Sequence, residues 1–154
     1  MIKIISPITQ VDTTAQFTLG TRTKTKDGNE YIYLPGTSSV AKYDAVMFIT
    51  AANMSYGSVT RLATTGGIGL VGIAQGAIIN SKYGWFQTGG VGWANAGRRA
   101  TAGLAMYASG TVGTVGTGVV NGDLLAGMFC IGTGEASGTC KALLNDPFCT
   151  DTLN

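Results

Sequence analysis

Glycine supplies 24 of the 154 residues, about twice its ordinary share, and this recurrence limits the fold more than any other feature. A glycine inside a helix costs about 1 kcal/mol relative to alanine, whereas turns and bulges exploit its freedom. The apolar stretch from Leu70 to Ile79 is long enough for a helix, but Gly72 and Gly76 argue against one. Residues 98 to 108 have the best helical composition, and Thr101 with Gly103 keeps any helix there short. The glycines hold no fixed spacing, no long unit repeats, and no collagen triplet runs through them. They read as turns and bulges.

The segments between them read as strands. From Phe17 to Leu34 two strand-like runs flank Asp27-Gly28, a favoured hairpin dipeptide. Alternation puts Thr21, Thr23 and Thr25 on one face and Arg22, Lys24 and Lys26 on the other. Tyr31 and Tyr33 share a face on the return run, opposite Ile32 and Leu34. Further strands are expected at 43–50, 58–63, 83–87, 91–94, 124–131 and 139–144. Many short strands punctuated by glycine predict an all-β chain, a single small β-sandwich or barrel. Residues 1–16, β-branched and broken by Pro7, read as an extended N-terminal arm ahead of one β-domain over 17–154.

Charge and residue inventory then exclude functions. Ten basic and eight acidic side chains leave a formal net charge of +2, too weak a field to gather nucleic acid or anionic lipid. Twenty uncharged residues separate Arg61 from Lys82, and 23 separate Arg99 from Asp123. Both stretches are rich in small residues and fit strands better than membrane-spanning helices. The apolar patch after Lys3 is too short for a secretory signal. There is no histidine, which removes the commonest general base and metal ligand. The three cysteines, Cys130, Cys140 and Cys149, read as buried thiols, with a single Cys140–Cys149 bridge as the alternative. Without histidine or a C-x-x-C pair, no metal or cofactor is expected.

Candidate motifs mostly dissolve on inspection. Gly67, Gly69 and Gly72 spell G-x-G-x-x-G, but a dinucleotide site needs an acidic residue about 20 positions on. None occurs from Ile73 to Asn121. Ser81-Lys82 would point to opposite faces of a strand. The carboxylates sit largely at turns, where they satisfy backbone donors. The Arg22, Lys24, Lys26 stripe and the isolated Arg98-Arg99 pair fit a solvated face or a partner contact. Trp85 and Phe86 are adjacent, so one of them is expected to face away from the chain's own core and towards a partner.

The order of short motifs carries a resemblance. Thr18-Leu-Gly-Thr21, Asp27-Gly-Asn-Glu-Tyr31, Tyr43-Asp-Ala-Val46, Val71-Gly-Ile-Ala74, Tyr83-Gly-Trp-Phe-Gln87, Gly103-Leu-Ala-Met-Tyr107 and Ala126-Gly-Met128 follow one another over residues 17–132. The series resembles the cement, or head decoration, proteins of tailed bacteriophages. The resemblance implies a small β-protein of jelly-roll or tulip-like architecture on the virion's capsid exterior, bridging major capsid protein subunits. It implies a homotrimer, or a homodimer, with no catalytic residues, no cofactor, no nucleic acid and no membrane. Within that expectation Ile2, Ile4, Ile5 and Ile8 form a strand-addition arm, and the basic stripe faces an acidic shell. Glycan binding through the aromatic residues, or a role in a tail or fibre, is the competing reading, with an enzyme a distant third.

Overall fold

The computed structural model describes residues 7–37, 39–50, 56–63, 67–96, 100–118, 122–132 and 138–150, and among these it contains strands and turns but no helix. In chain order the strands are β1 (Arg22–Lys24), β2 (Glu30–Pro35), β3 (Ala45–Thr50), β4 (Tyr56–Arg61), β5 (Gly69–Ala74), β6 (Tyr83–Asn95), β7 (Ala105–Ala108), β8 (Val115–Gly116), β9 (Leu124–Cys130) and β10 (Thr139–Thr150). They pair antiparallel in the order β1-β2-β6-β5-β10-β9-β7-β8, with β3 on β5, β4 on β3, and a further β6–β10 pairing. The all-β expectation holds.

Local chemistry explains the elements. The β1–β2 hairpin turns through residues 25–29, where Thr25 N donates to Asn29 O over 2.9 Å and Gly28 N to Thr25 O over 3.0 Å. Gly28 has a φ of +85°, a conformation glycine adopts without a steric penalty. Leu70–Ile79 forms β5 and a loop, not a helix. At Gly72 an added Cβ would lie 2.5 Å from the Phe48 ring, so the strand needs a glycine there to let β3 close over it.

Two expectations change. Residues 105–108 are a strand pairing with β9, because that backbone is claimed by the sheet. The runs at 83–87 and 91–94 are one strand, bent where it changes partners. Its first half lies along β2, and residues 89–95 lie along β10. Gly90 sits at that bend with a φ of +86°. An Asn29 oxygen fills the space its Cβ would take and accepts from Val91 N over 2.9 Å.

The sheet curls around two cores. Ile32, Leu34, Val46, Phe48, Val59 and Phe86 fill the space between β2, β6, β5, β3 and β4. Met106, Val115, Leu125, Met128, Cys140 and Leu144 fill the other, inside β6, β10, β9, β7 and β8. A bridge between Ala96 and Val115 draws β8 back towards the end of β6. β10 joins the halves, since it pairs with β5, β6 and β9.

Residues 7–16, the described part of the arm expected over 1–16, are not extended but pass through turns and, with Phe17, form a strap. They turn back and lie on the outer face of β2 and β6. Asp12 and Tyr83 exchange two backbone hydrogen bonds of 2.9 Å. Ile8 and Phe17 pack against Tyr31, Tyr33 and Trp85. The Phe17, Tyr33 and Trp85 ring centroids lie 5.0–5.2 Å apart. Trp85 is 1% exposed and Phe86 0%. The expectation that one of this adjacent pair would face outward fails because the strap supplies a second apolar layer from the same chain.

Candidate functional site

Among the described residues, those singled out from sequence do not converge. Trp85 is corrected from a partner contact to a buried residue beneath the strap. Ile8 is half-buried against the same aromatic cluster, inside its own chain. The basic stripe is shorter than expected, because β1 ends at Lys24 and Lys26 falls in the hairpin turn. Arg22 lies 3.2 Å from Asp146 and Lys24 2.8 Å from Glu30. These exposed pairs contribute under about 1 kcal/mol each to stability, but they offset two of the three positive charges that a shell or polyanion would meet. Ile2, Ile4, Ile5, Arg98 and Arg99 lie outside the described residues.

Possible catalytic groups are engaged in holding the fold. Tyr33 donates its hydroxyl to Asp12 Oδ2 over 2.6 Å, and Gln10 Nε2 donates to Asp12 Oδ1 over 2.8 Å. Burial first, and that bond second, pushes the Tyr33 hydroxyl up to about 12. Asp44, 2% exposed, lies 2.8 Å from Arg61 Nε and accepts from Ala41 N and Asn95 Nδ2, both over 2.9 Å. Arg61 in turn donates to Val112 O over 2.7 Å, which ties the loop before β8 to β3 and β4. Cys130, Cys140 and Cys149 are free and buried. Burial and the neighbouring Cys130 thiol push Cys140 up to about 12, so it is a poor nucleophile. Ser81 and Lys82 lie at a turn before β6 rather than on a strand. Among the described residues no three His, Cys, Asp or Glu side chains gather as a metal site would need. Gly67, Gly69 and Gly72 lead into and lie along β5, not a strand-to-helix turn.

What the structure does assemble is a row of apolar side chains on the outer face of three neighbouring strands. Leu143 of β10 stands directly across from Val91 of β6 and from Phe129 of β9. The three are 40%, 44% and 44% exposed. One row further along, Lys141 is flanked by Trp93 and by Ile131, whose amide donates to Lys141 O over 3.0 Å. The Lys141 ammonium lies 5.6 Å from the centre of the Trp93 ring. Burial alternates along β10, with Cys140, Ala142 and Leu144 inside and Lys141 and Leu143 outside. Exposed side chains scattered singly need no explanation, but a contiguous patch rimmed by polar residues marks a contact surface.

Sequence reading missed this face. A signal was present in Leu143-Leu144 and in Phe129-Cys-Ile131, where a strand must turn one large apolar residue outward. Only the pairing of β6, β10 and β9 puts those outward residues side by side. Comparison of the chain with family models, curated proteins and solved structures finds no significant match.

Proposed function

We propose that this chain works by docking rather than by catalysis, as a cement protein on the outside of a tailed-phage capsid, where it bridges major capsid protein subunits. The observation that carries the reading is the outward Val91–Leu143–Phe129 row, contiguous apolar surface left in solvent. The motif order over residues 17–132 supports the same role. Each docked copy adds an interface that must be lost before shell subunits separate, and many such contacts act together. The competing aromatic platform of Tyr83, Trp85, Phe86 and Trp93 loses Trp85 and Phe86, which are buried, and keeps only the half-buried Tyr83 and Trp93.

Cosedimentation with the cognate shell tests the proposal. Saturable binding to expanded heads stripped of decoration protein, with none to unexpanded proheads, is the expected result. Failure to bind either form refutes the cement reading. Saturable quenching of tryptophan fluorescence by a glycan would then favour the rival.

A further inference from the structure

We propose that Cys130 and Cys140 form a redox lock, a buried dithiol that closes to a disulfide when the chain folds in contact with a low-molecular-weight disulfide such as oxidised glutathione. The inference concerns how β9 is held to β10 and stands apart from the docking reading.

The strand register brings these two thiols together and keeps the third away. Cys130 ends β9 opposite Ala142 of β10, and Cys140 lies two residues before Ala142. Alternation along β10 turns Cys140 to the same inner side as Ala142, diagonally across from Cys130. Both cysteines are 0% exposed and belong to one core. Cys130 Sγ donates to Gly132 O over 3.0 Å, so it leans along the ladder in the direction of Cys140. The Cys130 and Cys140 thiols are hydrogen-bonded to each other. Cys149 sits opposite Leu125, where its thiol donates to Asp123 Oδ2 over 4.0 Å. Nine positions of one strand separate it from Cys140, roughly 25–30 Å of extended chain. The Cys140–Cys149 bridge considered from sequence therefore cannot close in this fold.

The chemistry is thiol–disulfide exchange. One cysteine loses its proton and attacks the small disulfide, releasing one small thiolate and leaving a mixed disulfide on the protein. The other cysteine then loses its proton, attacks the protein sulfur of that mixed disulfide and releases the second small thiolate. The two protons end on the released thiols, so two cysteines are oxidised and one small disulfide is reduced. The sulfurs must approach from contact to about 2.05 Å. Cys130 stands at the end of β9, so side-chain rotation and a shift of the strand end accomplish this without breaking the ladder inside. Burial holds the Cys140 proton, which slows attack in the finished fold. The lock accordingly closes while β10 docks, and the same burial then shields the bond from reductants.

Refolding the full chain in a buffer of oxidised and reduced glutathione tests this. Remaining thiols are alkylated under denaturing conditions, and the cross-linked peptides are identified by mass spectrometry after digestion. The expected product joins Cys130 to Cys140 and leaves Cys149 alkylated. Its ratio of disulfide to dithiol should exceed that of the same chain held in urea, at the same glutathione ratio, by about tenfold or more. The oxidised chain should then unfold at a higher urea concentration than the reduced one. The native sequence is used throughout, so no variant has to fold. A native ratio no higher than the one in urea overturns the proposal, as does a bridge that involves Cys149. An oxidised chain that unfolds at lower urea than the reduced chain also overturns it.

Discussion

Tyr33→Phe removes one oxygen and leaves the aromatic packing of the strap in place. The hydroxyl it deletes donates to the buried Asp12 carboxylate over 2.6 Å and accepts from Gln16 N over 3.2 Å. A hydrogen bond to a charged group contributes about 1.5–3 kcal/mol, and a buried acceptor left without its donor adds a desolvation cost. Gln10 still serves the other Asp12 oxygen, so the expected loss is about 2–3 kcal/mol. Urea unfolding followed by tryptophan fluorescence measures it, with the denaturant slope unchanged. Asp12→Asn in the Tyr33→Phe background should cost little more, because a neutral amide is cheaper to bury than an unpaired carboxylate. The pH dependence gives a second reading. The Tyr33 hydroxyl is raised from 10.0 to about 12 in the folded chain. The folded chain therefore keeps a proton that the unfolded chain releases, and this contribution to stability is full below pH 10 and lost as pH rises towards 12. Tyr33→Phe should flatten that part of the alkaline decline. A Tyr33→Phe protein within about 0.5 kcal/mol of the parent would refute the claim that this bond fastens the strap.

Two other perturbations follow from buried groups. Arg61→Ala leaves Asp44 with two neutral donors in place of an ion pair, and should cost about 2–4 kcal/mol in the same unfolding assay. The three thiols should react with a chromogenic disulfide reagent only on unfolding, and the Cys140 contribution to stability should fade as pH rises from 9 towards 12. Rapid native labelling of any of the three would contradict their burial.

The fold class was legible because it rests on local chemistry. Asp27-Gly28 set a turn, Gly72 stopped a helix, and Tyr31 through Leu34 alternated as a strand does. The candidate site was not legible, because it depends on which strands meet. Trp85 looked like surplus apolar surface until the strap, nearly 70 positions earlier in the chain, was seen to cover it. Val91, Phe129 and Leu143 lie up to 52 residues apart, and nothing local announces that they form one row. Lys24 and Glu30 pair because β1 and β2 register them, whereas Arg22 finds its partner 124 residues away.

β10 also decides when this protein can become itself. It is synthesised after every strand it joins, yet it completes the ladder between β9 and the second half of β6 and also meets β5. A ribosome-bound chain lacking it carries open edges on β6 and β9, and one of its two cores stands without Cys140, Ala142 and Leu144. Contacts of such long sequence separation form slowly and reward the chain only once the loop is closed. A strand made after its neighbours thus inserts between them, and Leu143 arrives with it at the centre of the outer row. Burial of the core and appearance of the outward face are one event, so a half-made chain has no finished surface with which to bind anything prematurely.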